Sequence, residues 1–350
     1  MIEQELQHTG IESARADDKA GYPLVTFALF AYNQEHYIRQ AMEAALAQDY
    51  PNLEVIVSDD CSSDATFNTM QQAAAAYKGP HALVVRRTER NCGSLLHVAD
   101  VAKLAGGELL VLAAGDDISK ANRVSVVQEA WTRTGAWGLC SRYDRIDAEG
   151  VLLEEGVQAP VTISHGFGRY FYPEEGKVEV VHGCTSAYDS RVFQYLKLTP
   201  EDYVLSEDGA ISVLLNLMGK RIAHLEESLV LYRENPGSLT NNLGRRPLSF
   251  PQVARDEANI LRFAGAQANR CRLFLRMDHQ LEQMKVRCIR QDGVSAELRA
   301  QECAANWYGL SVIARVACIV DQRLPWKWGL PRILGRTPFY CLKWIASRLY

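Results

Sequence analysis

No stretch of about eighteen uninterrupted apolar residues occurs in this sequence, so nothing in it reads as a transmembrane helix. The longest approach to one, Cys303 to Val320, is interrupted by Asn306 and Arg315. The opening residues, MIEQELQHTGIES, lack the basic end and apolar core of a signal peptide. No two cysteines are spaced as C-x-x-C, and their number, nine, is odd, which argues against a disulfide framework or a zinc site. Reduced thiols in a cytoplasm are the expectation. Positive charge is not in excess either: 38 Lys+Arg against 42 Asp+Glu give a net charge of −4, which excludes a general nucleic-acid binder. Internal repeats and low-complexity segments are absent.

What remains is globular composition, with 47% hydrophobic and 23% charged residues in 350. A chain of this length buries roughly three quarters of its unfolded surface and is expected to form two units, or one domain with a large appendage. The charge divides unevenly. Residues 256–350 carry 15 Lys+Arg against 8 Asp+Glu, whereas residues 1–255 carry 23 against 34. The C-terminal third is therefore the part suited to an anionic partner.

Residues 1–21 are charged and poor in apolar side chains, which predicts a loose segment. Val25 to Ala31 is almost wholly apolar, as expected of a parallel strand buried on both faces. A helix is expected from Glu35 to Gln48, a second strand over Leu53 to Ser58, and a helix capped by Asp64 and carrying Phe67 and Met70. His81 to Arg86 reads as strand, Leu95 to Leu104 as helix, and Glu108 to Ala114 as strand. This alternation requires right-handed crossovers and predicts an open, mostly parallel α/β sheet flanked by helices. Residues 143–180, rich in turn signals, read as a loop-rich insertion, and Gly219 to Tyr232 as a helix end followed by another strand. The pattern turns helical and basic from Gln252, which sets the expected units at 22–245 and 246–350.

In such sheets ligands bind beyond the carboxyl ends of the strands. Asp59-Asp60 and Asp116-Asp117 fall there, and Glu207-Asp208 form a third acidic pair. Any one pair alone reads equally as an Asx turn or a helix cap. Three pairs raise one another's pKa values unless a cation compensates, and a divalent metal shared with substrate phosphates is the usual compensation.

Six segments, in order, resemble the family-2 glycosyltransferases, which have the GT-A fold. They are Phe30-Ala31-Tyr32-Asn33-Gln34-Glu35, the stretch Ile56 to Thr66 around Asp59-Asp60-Cys61-Ser62, Asn91-Cys92-Gly93, Ala114-Gly115-Asp116-Asp117, Ser206-Glu207-Asp208, and Tyr232 to Thr240. The resemblance implies an inverting transfer of a sugar from a nucleotide donor, with Mg²⁺ or Mn²⁺. It assigns Ala31 (through its backbone), Tyr32, Glu35, Asp60, Asn91 and Asp116 to the nucleotide, with Asp60 reading a uracil ring. It assigns Asp117 and Asp116 to the metal, and Asp208, beside Glu207, to the catalytic base. His182, Gly183, Cys184 and Arg233 would form the wall facing donor sugar and acceptor. It further implies a saccharide acceptor, lipid-linked in surface-polysaccharide or O-antigen assembly, and no nucleic acid.

The sequence departs from the family pattern at three places: Ala31 replaces a threonine, Cys61 a glycine, and Asn235 a histidine. His182 beside Cys184 also admits a nucleophile reading, with pocket lining and plain packing as alternatives. Residues 321–350 contain six Lys+Arg, one Asp and six aromatic residues. Phe339, Leu342, Ile345 and Leu349 share one helical face there, so the segment reads as a peripheral membrane contact, or else as a face packed on protein or in a homo-oligomer. Competing classes are a sugar-phosphate nucleotidylyltransferase, which would need a Gly-rich basic loop where Tyr32-Asn33-Gln34-Glu35 stands, and a non-catalytic nucleotide-sugar-binding module. A Rossmann dehydrogenase is excluded, since no G-x-G-x-x-G follows a strand.

Overall fold

The computed structural model describes residues 21–163, 178–200, 202, 206–234, 250–282 and 291–320, together with 332, 335, 336 and 339. The expectations for residues 1–20, for much of the insertion, for the end of the Tyr232–Thr240 motif including Asn235, and for most of 321–350 fall outside the described residues.

Seven residues from Val25 to Ala31 form β1, and the chain continues through α1 (Ile38–Leu46), β2 (Leu53–Asp59), α2 (Thr66–Ala76), β3 (Ala82–Arg87), α3 (Ser94–Leu104) and β4 (Leu109–Ala114). Next come β5 (Ile118–Ser119), α4 (Arg123–Thr134), β6 (Gly138–Ile146), β7 (Leu152–Val157), β8 (Thr162–Ile163), β9 (Val178–Glu179) and β10 (Ala187–Asp189). The remainder is α5 (Glu207–Leu217), β11 (Ile222–Arg233), α6 (Phe250–Glu282), α7 (Gln291–Ala305) and α8 (Val312–Val320). The main sheet runs β3-β2-β1-β4-β10-β6-β11-β5, with β7 paired to β6 and β8 paired separately to β9. The four strands anticipated as parallel are parallel, but β10 is antiparallel to both β4 and β6, so the sheet is mixed.

Alternation along the strands explains the layers. Phe27 and Leu29 of β1 face α1 and α4, where Ile38, Met42, Val124 and Val127 are buried. Ala28, Ile56, Leu110 and Leu112 face the other way, onto Leu95 and Val98 of α3, Ile211 and Leu214 of α5, and Phe274 and Met277 of α6. Helix α1 has only nine residues, too few to persist alone in water. The burial of Ile38 and Met42, about 1.5–3 kcal/mol each, holds it in place.

Register decides where the acidic pairs go. Ala31 pairs with Asp59 on one side, and Phe30 pairs with Ala114 on the other. Chain order reverses between β1 and β4, so both aspartate pairs emerge at the switch point of the sheet, flanking Tyr32.

Two expectations are corrected. Helix α1 begins at Ile38 rather than Glu35, because the N–H groups of Gln34 and Glu35 donate to Thr66 Oγ1 (2.8 Å) and Asp64 Oδ2 (3.2 Å) and residues 35–37 stay in a turn. Asp59 is the last residue of β2 rather than the first beyond it.

The C-terminal helices pack on protein where they are described. Arg276 of α6 pairs with buried Asp202. Farther along, Glu257 is buried and bound by Arg332 (Nε–Oε1 2.7 Å) and by the Tyr308 hydroxyl (3.0 Å). Phe339 lies buried, with the Arg332 guanidinium 4.2 Å from its ring centroid. Arg332 and Phe339 of the basic aromatic segment are thus engaged with the chain itself.

Gly115 fixes the switch point. A Cβ there would meet Gln34 Oε1 at 2.6 Å, Ile38 Cδ1 at 3.0 Å and Ala31 Cβ at 3.1 Å. Gly115→Ala is expected to cost about 1–3 kcal/mol in denaturant unfolding, the usual range for overpacking. An unchanged midpoint would show that the loop has room this structure does not give it.

Candidate functional site

The loops after β1 and β2 are stitched together by short polar side chains. Asn33 N–H donates to Ser62 Oγ (2.8 Å), and Asn33 Oδ1 accepts from Ser63 N–H (2.8 Å). Glu35 Oε2 accepts from Ala65 N–H (2.8 Å), and Asp64 Oδ1 from Thr66 N–H (3.0 Å). Asp64 caps α2 from the position before the N-cap, Ala65. Fully buried Asp59 receives Ser62 N–H (3.0 Å) and the Ser62 hydroxyl, and pairs with Arg87 Nε at 3.1 Å. Glu35, read from sequence as a nucleotide contact, therefore spends one carboxylate oxygen on loop geometry. Cys61 takes the place of glycine in this turn at φ +61°. That left-handed conformation costs a residue with a Cβ on the order of 1–2 kcal/mol, and the surrounding bonds hold it there.

Buried Asp60 organises the loop that follows β3. Its Oδ1 accepts from Cys92 N–H (2.9 Å), Thr88 Oγ1 (3.0 Å) and Cys92 Sγ (3.2 Å), and its Oδ2 accepts from Gly93 N–H (2.9 Å). A carboxylate offers about four lone-pair positions, so this one is nearly filled by its own chain. Gly93 sits at φ +80°, where the turn into α3 requires it. Asn91 is exposed on the same loop, and Tyr32 is 48% exposed at the end of β1, so both faces are open to a ligand.

Asp116 is half-buried and Asp117 is buried. Burial, followed by repulsion from Asp116, pushes the Asp117 carboxyl well above the usual carboxylate range. Arg233 clasps the pair: its N–H donates to Asp117 Oδ1 (2.9 Å) and its Nε to the Asp116 carbonyl (2.9 Å). Its remaining guanidinium nitrogens bind the carbonyls of Asp147 (3.2 Å) and Ala148 (2.9 Å) and Gln40 Oε1 (2.7 Å). Arg233 is 2% exposed, and the structure gives it the part of a buttress behind the aspartates. Beneath them lies Arg123, 1% exposed, whose Nη2 donates to the Leu112 carbonyl (2.7 Å) and whose Nη1 donates to Ser119 Oγ (2.9 Å). Burial lowers its pKa to about 10, which leaves a positive charge under Asp117. Nothing in the sequence marks Arg123 out, because an arginine in the first turn of a helix ordinarily faces water.

The third acidic pair opens α5. Ser206 is its N-cap, accepting from Gly209 N–H at 3.3 Å, and the Ser206 hydroxyl also contacts Asp208. Asp208 Oδ1 accepts from Gly209 N–H (2.6 Å) and Oδ2 from Gly183 N–H (2.9 Å). A carboxylate at a helix N-terminus is stabilised by the helix dipole. Glu207 differs: burial, and then Asp208, push its pKa from 4.5 to about 7. Asp208 lines a cleft of about 160 Å³ with Pro160, Val180, Val181, His182, Ser206 and Gly209.

His182 stacks on Tyr143, with ring centroids 5.2 Å apart and planes 3° from parallel, and its Nδ1 lies 3.1 Å from Cys184 Sγ. Burial lowers the His182 pKa and pushes the Cys184 thiol up. A neutral imidazole beside a protonated thiol is not an activated nucleophile, and pocket lining is what this geometry supports. Gly183 N–H binds Asp208, and the Ser186 carbonyl accepts from Leu112 N–H of β4 (3.0 Å), so the 183–185 turn lies between the start of α5 and the strand that leads to Asp116-Asp117. Tyr143 was not apparent from sequence, because β6 lacks a clean apolar alternation.

Divalent-metal chemistry fits this donor set. Adjacent carboxylate oxygens suit Mg²⁺ or Mn²⁺, and the repulsion that raises Asp117 would be relieved by a cation. Among the described residues no three His, Cys, Asp or Glu side chains converge to hold an ion by themselves. Phosphate oxygens and water would complete such a site.

A mixed α/β sheet with acidic pairs at its switch point defines a glycosyltransferase of the GT-A type. Residues 26–196 match the profile described as glycosyl transferase family 2, and this part of the chain is a domain of that family. An uncharacterized protein of Mycobacterium tuberculosis is 42% identical over 89 residues, and the match spans only about 25% of either chain. The putative teichuronic acid biosynthesis glycosyltransferase TuaG of Bacillus subtilis is 24% identical over 220 residues, 63% of this chain and 82% of its own. Among solved structures, S. aureus TarS 1–349 in complex with UDP-GlcNAc superposes with a TM-score of 0.50 at 15% identity, covering 93% of this chain and 89% of TarS. GalNAc-T7 with UDP, GalNAc and Mn²⁺ gives 0.55 at 13% identity, covering 76% and 56%. At those identities the likeness concerns the fold.

Glu207 predicts a pH dependence. Its folded-state pKa is raised, so its contribution to stability is full below about 4.5 and is lost as pH climbs through about 7. Glu207→Gln is expected to raise the Tm relative to the parent more at pH 8 than at pH 5. Parallel Tm curves for the two proteins would contradict the assignment.

Proposed function

We propose that this protein transfers a sugar, with inversion, from a nucleotide donor to a hydroxyl of a saccharide acceptor, and that the donor is a UDP-sugar. The observation that carries the reading is that Asp116-Asp117 follow β4 at the carboxyl edge of β1 and β4, and that the turn hydrogen-bonded to Asp208 is also bonded to β4. Tyr32 and Asn91 offer open faces for a base and ribose beside the Asp60-anchored loop. Asp60 holds that loop, and its Oδ2, with a single internal donor, is the oxygen available to an imino N–H of uracil. The crystal forms of TarS with UDP-GlcNAc and of GalNAc-T7 with UDP and Mn²⁺ support the choice of nucleotide and ion. Asp116 and Asp117 would hold the Mg²⁺ or Mn²⁺, whose part is to neutralise the leaving diphosphate.

Asp208 acts as the general base. Three internal donors from Ser206, Gly209 and Gly183 fix its rotamer at the cleft, where it takes the acceptor hydroxyl proton as the C–O bond forms. Glu207 sits behind it. His182 and Tyr143 shape the wall for donor sugar and acceptor, and Arg233 keeps the metal aspartates in register. The catalytic unit spans residues 22–245. The basic helical remainder serves a lipid-linked acceptor of surface-polysaccharide assembly at the inner face of the membrane, through residues of 321–350 other than Arg332 and Phe339, which pack on the chain itself. Its excess of Lys and Arg next to aromatic rings supports that reading. No described helix is long and apolar enough to cross a membrane.

Thermal stabilisation by a panel of nucleotide sugars, with and without Mn²⁺, tests the reading. A UDP-sugar at 100 times its dissociation constant is expected to add about 2.7 kcal/mol, with the metal increment lost in Asp117→Ala. Equal stabilisation in excess EDTA would contradict the metal assignment, and a preference for GDP or dTDP would contradict the base assignment. Asp208→Asn is expected to bind donor normally while turnover falls about 10²–10⁴-fold. Retained turnover, or a product of unchanged anomeric configuration, would overturn the role of Asp208.

A further inference from the structure

The corner between α7 and α8 holds two cysteines face to face. Cys303, half-buried near the end of α7, and Cys318, 5% exposed on α8, have their sulfurs 2.8 Å apart without being bonded to each other. The corner that presents them is rigidly tied. Trp307 is fully buried, and its Nε1 donates to the Arg332 carbonyl at 3.1 Å. Arg315 of α8 reaches back, with Nε donating to the Trp307 carbonyl (3.0 Å) and Nη2 to the Tyr308 carbonyl (3.1 Å). Ala304, Trp307 and Cys318 share one small apolar core with Cys303 packed against it. The two thiols therefore meet through anchored helices, with little chain entropy left to lose on joining them.

We propose that Cys303 and Cys318 form a reversible disulfide that fastens α8 to α7 when the protein meets a small-molecule disulfide such as oxidised glutathione. The different exposure of the two sulfurs assigns their order. Half-exposed Cys303, as thiolate, attacks one sulfur of the incoming disulfide, forming a mixed disulfide and releasing one thiolate of the oxidant. Buried Cys318 then loses its proton and attacks the Cys303 sulfur, breaking the mixed bond and expelling the second thiolate. Two cysteine thiols are oxidised, one external disulfide is reduced to two thiols, and the two protons lost by the cysteines pass to those products. The spacing of 15 residues between these cysteines matches no motif, so only the fold reveals the pair. The site is separate from the acidic cleft, and its test does not depend on the glycosyltransferase reading.

The experiment is peptide mapping of the full-length reduced protein after incubation with oxidised glutathione under native conditions, followed by a thermal melt. Peptides bearing Cys303 and Cys318 are expected joined, lighter by two hydrogens than the reduced pair, with the Tm raised by several degrees and restored by dithiothreitol. Cys318→Ser is expected to stop at a stable glutathione adduct on Cys303, whereas Cys303→Ser is expected to leave Cys318 unmodified. Glutathione adducts on both residues of the unmutated protein, a cross-link to a different cysteine, or neither residue oxidised while exposed thiols react would each overturn the proposal. The peptide map of the unmutated chain decides the matter even if a serine variant folds poorly.

Discussion

The placing of four carboxylates at one edge of a sheet, with Asp116 repelling buried Asp117, is the constraint around which this site is arranged. Asp59, Asp60, Asp116 and Asp117 converge there because the register of β1 with β2 and β4 brings the strand ends level. The protein settles each charge differently. Asp59 is paired with Arg87, Asp60 is surrounded by donors from residues 88–93, and Asp117 is left with one backbone N–H and buried guanidinium charge nearby. Asp117 keeps a raised pKa despite these neighbours. That residual imbalance suits the proposed cation and diphosphate at Asp116-Asp117, while Asp59 is architecture and Asp60 anchors the loop beside the proposed base site.

Buttressing follows from the same need. Arg233 reaches the Asp116 carbonyl just beyond β4, the 147–148 turn and Gln40 of α1 with one side chain, so Asp116-Asp117 cannot move without disturbing their neighbours. Arg123 supports them from below, and the 183–185 turn lies between Asp208 and the strand that leads to them. Asp208 and Glu207, adjacent in sequence, occupy different surroundings. One accepts helix-terminal N–H groups and faces the cleft, whereas the other is desolvated and pushed toward neutrality.

Much of the sheet was legible in the sequence because continuous apolar runs such as Val25–Ala31 and Leu109–Ala114 leave few alternatives for a buried strand. The second half was less legible. β10 has three residues and derives its pairing from β4 and β6, so no local pattern announces it. The motifs marked residues that the fold brings to one edge of the sheet, but they did not separate exposed side chains from scaffolding. Glu35 and Arg233 carry conspicuous charge in recognisable motifs, and the structure spends that charge on Ala65 N–H and on carbonyl oxygens. Tyr143 and Arg123, outside any motif, emerge only from tertiary contacts.

The central claim is that a cation binding at Asp116-Asp117 relieves the burial and repulsion that push the Asp117 carboxyl up. Calorimetric titration of Mn²⁺ and UDP into the protein, repeated in buffers of different ionisation enthalpy, measures the protons exchanged on binding. The account predicts net proton release that shrinks as the pH is raised and the raised Asp117 carboxyl is already ionised. Binding with no proton release at any pH would contradict it.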